Sequence, residues 1–383
     1  MKNSFLFRPL PHIGFLKLFL VILPLLVGML FIFINPSNID ASDLLLIAWN
    51  PAHELLATGH VAAEYPYPVW TVIVMLPVVL WSQKTAMLIW LACNLLMLAA
   101  SLAVLVASFE WEISPFLLGL IISLSVYFLP TLTSMWLGQL SIFSLLILAL
   151  TIHFFLHQRW TWLGIVLGLS FIKPQVMIFL VGLILVWALW QRRWQVLFGF
   201  GGVVAVLTLI SLPFISSPSQ IIGGGISSHL GTYILRTSTI WGLCLSLGAP
   251  WVLPLIISFG LMLWLGWTWL PILRINALSH QQVLLSFSVA ILVNLIALPY
   301  SWMHNLTILL LPLGYSASMA LKLKGFSRLF WLTLLFLAMH PLMVTLFVLL
   351  SGEDNTQAFQ IIPALIVVPA MLYLQNFTTK QGS

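Results

Sequence analysis

The stretch Asn35–Tyr65, NPSNIDASDLLLIAWNPAHELLATGHVAAEY, holds four of the eight acidic residues of the chain, Asp40, Asp43, Glu54 and Glu64, and neither Lys nor Arg. It separates the first long apolar run from the second, in a sequence that is 62% hydrophobic and 6% charged. A connection that gathers carboxylates and rejects cations reads as a loop on the outer side of a membrane, because Lys and Arg mark the cytoplasmic side. Within it, Asp43–Trp49 and His53–Gly59 read as short helical pieces broken at Pro51 and lying on the membrane surface.

Working outward, apolar runs of spanning length recur over all 383 residues, and the mean hydropathy is +1.13. Such a chain is an all-α, polytopic membrane protein forming a single domain over residues 1–383. The net charge of +6 is scattered through short loops and forms no basic stripe, which excludes nucleic acid as a partner. Cys93 and Cys244 both sit in apolar surroundings and predict neither a disulfide framework nor a metal site. His53, Glu54 and His60 match no strong ligand spacing. No motif in the chain calls for a cofactor.

Lys2, Arg8 and Lys17 precede the run from about Leu18 to Ile34, so the N-terminus is expected in the cytoplasm and the 35–65 loop outside. The same rule places a second span from Tyr65 to about Trp81, with Lys84 at a cytoplasmic turn. A third span then returns to an outer turn carrying Glu110 and Glu112. Arg192 and Arg193 belong inside, so an odd number of crossings is expected between Glu112 and Arg192. A re-entrant 114–130 satisfies that parity and leaves Arg159 inside, with Gln139 and Lys173 near the outside. The other solution joins 161–190 into one kinked helix with Lys173 at mid-depth. Beyond Arg193, residues 215–249 form a second outer loop, and Arg274, then Lys322, Lys324 and Arg328, and finally Lys380 fall inside. The total is about twelve transmembrane helices, with both termini cytoplasmic and interfacial helices in the first outer loop.

On this topology Asp43, Tyr65, Gln139, Lys173, Arg236 and His304 converge on the outer face. Ionisable groups at membrane depth are costly and mark function by default. One carboxylate with several cationic groups fits transfer from an anionic phosphate donor to a neutral hydroxyl. Asp43 takes the acceptor proton, and the cations hold the departing phosphate. A glycoside hydrolase uses two carboxylates because its alkoxide leaving group needs an acid; a lipid phosphate does not. The plainer readings are a solvated acid for Asp43, a snorkelling cation for Lys173, a helix cap for His304 and an uninvolved loop residue for Arg236. A membrane transporter or lipid flippase is the non-enzymatic alternative, although its polar residues would be expected on both leaflets or along a continuous groove.

Four stretches carry a resemblance. They are SDLLLIAWNPAHELLATGH followed by YPYP, WLGQLSIFSLLILAL, LGIVLGLSFIKPQVMIFLVGLILVWALWQRRW and LPYSWMHNLTILLLP. In this order they resemble the polyprenol-phosphate-dependent hexosyltransferases of glycosyltransferase family 87, within the GT-C superfamily. The resemblance implies a multi-span GT-C fold in the cell membrane, with its active site at the outer face. It further implies an inverting mechanism, a polyprenyl-phosphate-sugar donor (commonly a mannose carrier) and a lipid or glycan acceptor. Residue by residue it implies Asp43 as the catalytic base, with Lys173 and His304 on the substrate.

Overall fold

A computed structural model describes residues 42–62, 65–109, 115–215, 217–221, 233–274, 279–339, 358 and 360–381. The expected first helix, Asp40, Glu64, the turn at Glu110–Glu112 and both chain termini lie outside these residues. Among the described residues every regular element is helical.

The segment around Asp43 is continuous rather than broken. A helical turn, Ser42–Leu44, passes into a π-helix, Leu45–Trp49, and then into α1, Asn50–Thr58. Pro51 falls at the start of α1, where a missing N–H does not interrupt the ladder. The expected break is therefore a change of helix pitch. Pro51 cannot donate to the carbonyl four residues back, that of Ile47. The buried Tyr65 hydroxyl donates to it instead, at 2.6 Å.

α2, Val69–Val79, leads to α3, Gln83–Ser108, then α4, Pro115–Tyr127, and α5, Leu129–Leu137. α6 (Ser141–Leu156), α7 (Trp160–Leu169), α8 (Ile178–Trp190) and α9 (Trp194–Ser211) follow. Two short 3-10 turns, Ser170–Ile172 and Pro174–Val176, flank Lys173 between α7 and α8. The second half holds α10 (Ile240–Ser246), α11 (Val252–Arg274), α12 (His280–Ala297) and a 3-10 segment, Met303–Leu309. It ends with α13 (Leu310–Leu321), α14 (Gly325–Met339) and α15 (Ile362–Gln381).

Side-chain bonds fix which ends lie together. The Gln191 amide donates to the Leu273 carbonyl at 3.0 Å, and the Arg193 guanidinium sits 4.9 Å over the Trp160 ring. His280 bonds the Ser108 carbonyl. Arg159, Arg192, Arg193, Arg274 and the end of α3 therefore share one end of the bundle. At the other end, Trp90 Nε1 donates to the Gly138 carbonyl at 2.9 Å, and Asn294 Nδ2 donates to the Gln175 and Val176 carbonyls at 3.0 and 2.9 Å. Trp241 Nε1 reaches the Ala297 carbonyl there. The 35–65 and 215–249 segments, as far as they are described, belong to this second end.

This corrects the expected course of the chain before Gly138. α3 starts at the end that carries Asp43 and finishes at the basic end, so Lys84 does not mark a turn on the side of Arg159. α2 has only 11 residues and contains Pro77. It packs among Leu44, Tyr65, Trp90, Ile172 and Leu207 in a small core separate from the main one, and does not connect the two ends. With α3 reversed, α4 and α5 run from the basic end to Gly138 as a pair bent by 54°. The preferred re-entrant 114–130 is replaced by this bent passage, and four passages, not an odd number, separate Ser108 from Arg192. Four helices among the described residues are long and apolar enough to cross a membrane, or five if the bent pair is one span. α6, α7 and α8 are shorter, so the expected twelve full-length spans are not reached among the described residues.

Glycines set the closest contact in the bundle. Gly164 and Gly168 on α7 form a small-xxx-small face against α9. A Cβ on Gly164 would collide with the Val196 carbonyl, and one on Gly168 would stand 2.6 Å from the Val203 Cβ. Gly199 on α9 reciprocates, with the Thr161 carbonyl 2.7 Å from its would-be Cβ. Residues 164 and 168 meet 196 and 203 in ascending order, so the two helices run parallel and carry Lys173 to the same level as Leu207.

Candidate active site

Asp43 enters the site on the short turn before the π-helix, where its neighbour Leu44 is 2% exposed and anchors the segment in the small core. Opposite Leu44 lies Gly138, the left-handed cap of α5 with φ 71°. A Cβ there would fall 2.6 Å from the Leu44 Cβ, so both the turn and the close approach require glycine. The Gly138 carbonyl is held by Trp90, and the Gln139 N–H donates to the Ser134 carbonyl at 2.8 Å. Gln139 is thus presented to Asp43 by a turn fixed from two sides.

Its amide then bridges opposite charges. Gln139 Nε2 donates to an Asp43 carboxylate oxygen at 2.6 Å, and Lys173 Nζ donates to Gln139 Oε1 at 2.8 Å. A primary amide suits this place because it offers a donor and an acceptor at opposite corners of one rigid plane. Lys173 Nζ also donates to Ser141 Oγ at 3.0 Å, and Ser141 Oγ donates to Asn305 Oδ1 at 3.2 Å. The backbone bend at Lys173 is held from α2: Trp70 Nε1 donates to the Phe171 carbonyl at 2.9 Å and Thr71 Oγ1 to the Ile172 carbonyl at 3.1 Å. Lys173 is only 2% exposed. A buried ammonium persists where polar partners and an opposite charge offset its lost hydration, and here Gln139, Ser141 and the nearby Asp43 charge supply both.

His304 is buried in the 3-10 segment Met303–Leu309, within electrostatic range of Lys173. Its Nε2 has no hydrogen-bond partner. Of the residues expected at the site, Asp43, Gln139, Lys173 and His304 therefore come together. Tyr65 is adjacent but serves the backbone: its hydroxyl is committed to the Ile47 carbonyl. Arg236 is exposed on a one-turn 3-10 element, and among the described residues it is not part of the hydrogen-bonded chain. Tyr233, on the same turn, places its ring 5.8 Å from Trp302.

Sequence reasoning missed four residues. Ser141 and Asn305 extend the polar chain from Lys173. Tyr67 hydrogen-bonds Gln139, and both Tyr67 and Tyr300 lie within electrostatic range of Asp43. The Tyr67 signal was present in the sequence, since two prolines flank that tyrosine within the entry to α2.

The arrangement offers a carboxylate at the edge of the site, a buried cation one amide away and neutral hydroxyls around them. It suits proton abstraction on one side and anion stabilisation on the other. No curated protein and no solved structure matches the chain. A family model matches residues 65–299, a stretch that includes Tyr65, Gln139, Lys173 and Arg236 but starts after Asp43 and ends before His304. That match spans more than half of the sequence, and the chain therefore belongs to glycosyltransferase family 87, a family of membrane enzymes that transfer sugars.

Proposed function

We propose that the enzyme moves a hexose, mannose in the first instance, from a polyprenyl-phosphate donor to an acceptor hydroxyl at the outer face of the cell membrane. The observation that carries this reading is the chain Asp43–Gln139–Lys173. Asp43 accepts the proton of the acceptor hydroxyl as its oxygen attacks the anomeric carbon. The bond from that carbon to the phosphate oxygen breaks from the opposite face, which inverts the configuration. Polyprenyl phosphate leaves with the bonding electrons. Lys173 has three N–H donors and gives two to Gln139 and Ser141; the third meets the phosphate oxygen on which charge develops. In a site shielded from water that attraction is far stronger than it would be in bulk solvent.

The basic end of the bundle faces the cytoplasm under the charge rule, which puts Asp43 on the outer side and both termini inside. Lys173 and His304, placed together, are the donor side of the site; Asp43 is the acceptor side. Lipids or glycans bearing a free hydroxyl are the acceptors.

The test is transfer of label from polyprenyl-phosphate-[³H]mannose in membranes containing the enzyme, followed by identification of the labelled product and its anomeric configuration. Label in a new glycosidic bond of inverted configuration is expected, and its loss is expected in Lys173→Met. Transfer from a sugar nucleotide in the absence of any lipid donor would overturn the reading.

A further inference from the structure

Hydroxyls inside this bundle have a habit. Ser101, Ser123, Ser125, Ser144, Thr151, Thr208 and Ser211 each donate to the carbonyl four residues back on their own helix. That is the default for a serine or threonine with no other partner in an apolar surrounding. Two hydroxyls on α5 depart from it. Thr131 Oγ1 and Ser134 Oγ are fully buried and have no hydrogen-bond partner, although the Pro130 carbonyl stands four residues behind Ser134. His304 Nε2 is a third buried atom without a partner.

The two elements that carry the three are neighbours in the fold. Thr131 and Ser134 lie one turn apart on the buried face of α5, and Ser134 is the residue whose carbonyl receives the Gln139 N–H. α5 packs against Met303–Leu309, the segment that holds His304. Pro130 and Met303, adjacent in sequence to Thr131 and His304, line the same hollow. Asn94, Ser288 and Ser316 also carry unpaired polar atoms, but they lie on α3, α12 and α13, outside α5 and the Met303–Leu309 segment. Buried polar atoms without partners are destabilising, and several gathered beside a reactive centre need an explanation.

We propose that Thr131, Ser134 and His304 form the subsite for the sugar ring of the donor and bond its hydroxyls. The chemistry argues for a neutral polyhydroxyl ligand. Two of the three groups are hydroxyls and the third is an imidazole, so each can donate or accept, and the nearest charge, that of Lys173, is already assigned to the phosphate. A ring bound by these groups would have its phosphate at Lys173 and meet the attacking hydroxyl at Asp43. This inference rests on the lipid-phosphate donor proposed above.

The experiment uses the purified full-length Asp43→Asn protein and three probes: polyprenyl phosphate, polyprenyl-phosphate-mannose and polyprenyl-phosphate-glucose. At least one sugar lipid should bind more tightly than the bare phosphate. Adding Thr131→Val and Ser134→Ala together should erase that preference, a loss of about tenfold or more, while bare polyprenyl phosphate binds as before. The melting temperature should stay level or rise, because hydroxyls kept for a ligand are a burden to the empty protein. A structural role for these hydroxyls would do the opposite and lower it. A fall in melting temperature, unfolding of the Thr131→Val protein, or retention of the sugar preference would each overturn the proposal. So would a parent protein that binds neither sugar lipid better than bare phosphate. Turnover by the Asp43→Asn parent would instead count against Asp43 as the base, and leaves the sugar subsite to be judged by binding.

Discussion

Gln139 sits where a direct ion pair between Asp43 and Lys173 would otherwise close. A buried pair of that kind would tie up the carboxylate as a proton acceptor and the ammonium as a phosphate ligand at once. The amide transmits attraction between them while holding them one side chain apart. Swapping the polarity tests this directly. Gln139→Glu sets one carboxylate against another and should destabilise the fold. Asp43→Asn in the same chain restores a donor–acceptor pair in reverse order and should recover much of the loss. A double-mutant cycle in thermal or denaturant unfolding should return a coupling of about 0.5–3 kcal/mol. Additive effects of the two substitutions would mean that the bond is not made in solution. The same residues show what a sequence can and cannot disclose at this scale. Asp43 and Lys173 are legible because charge is rare in an apolar chain. Ser141 and Asn305 are not, since neutral polar residues occur throughout these helices, and only the fold shows that Ser141 meets Lys173 and Asn305 stands behind Ser141.

At the scale of elements, the π-helix and the α7–α9 contact position the two halves of the site. The Ile47 carbonyl freed by Pro51 and taken by Tyr65 explains why a tyrosine expected to touch substrate is buried in backbone. Its proximity to the site could be read from sequence, but its partner is a main-chain carbonyl, which no side-chain pattern announces. On the other side, α7 and α9 approach closely enough that Gly164 and Gly199 have no room for a methyl group. Gly164→Ala should separate them, destabilise the protein by about 1–3 kcal/mol as overpacking does, and slow transfer through displacement of Lys173. Gly202 on α9, with no atom near its would-be Cβ, supplies the contrast. Gly202→Ala should be neutral or stabilising by about 0.5–1 kcal/mol, the intrinsic helix preference for alanine over glycine. Equal effects at the two positions, measured by melting in detergent, would contradict the packing argument.

For the whole molecule, the arrangement of ends is the strongest structural result. Seven described cations, Arg159, Arg192, Arg193, Arg274, Lys322, Lys324 and Arg328, belong to connections away from Asp43, and the exposed Trp162, Trp190 and Trp194 flank the first three of them. A basic end with an aromatic girdle is the expected signature of the cytoplasmic interface. The charge rule grouped these seven on one end and failed on α3, because Lys84 is a lone cation on its own loop, at the end that carries Asp43. One lysine on a loop is a weak topological signal, and only the Trp90–Gly138 and His280–Ser108 bonds reveal the reversal. Cysteine labelling in intact cells checks it. Cysteines at Lys84 and His53 should react from the same side, and one at Arg159 only from the other. Reaction of positions 84 and 159 from a common side would refute the reversed α3. The central claim, however, is chemical and concerns Asp43, since an ionised carboxylate accepts a proton that its amide isostere cannot. The most direct measurement is therefore the rate of sugar transfer by the folded Asp43→Asn protein beside Glu54→Gln as a control. Asp43→Asn should lose about 10²–10⁴-fold in rate, the usual worth of a positioned general base, while the exposed Glu54 variant keeps its activity; transfer by Asp43→Asn at the native rate would contradict the account.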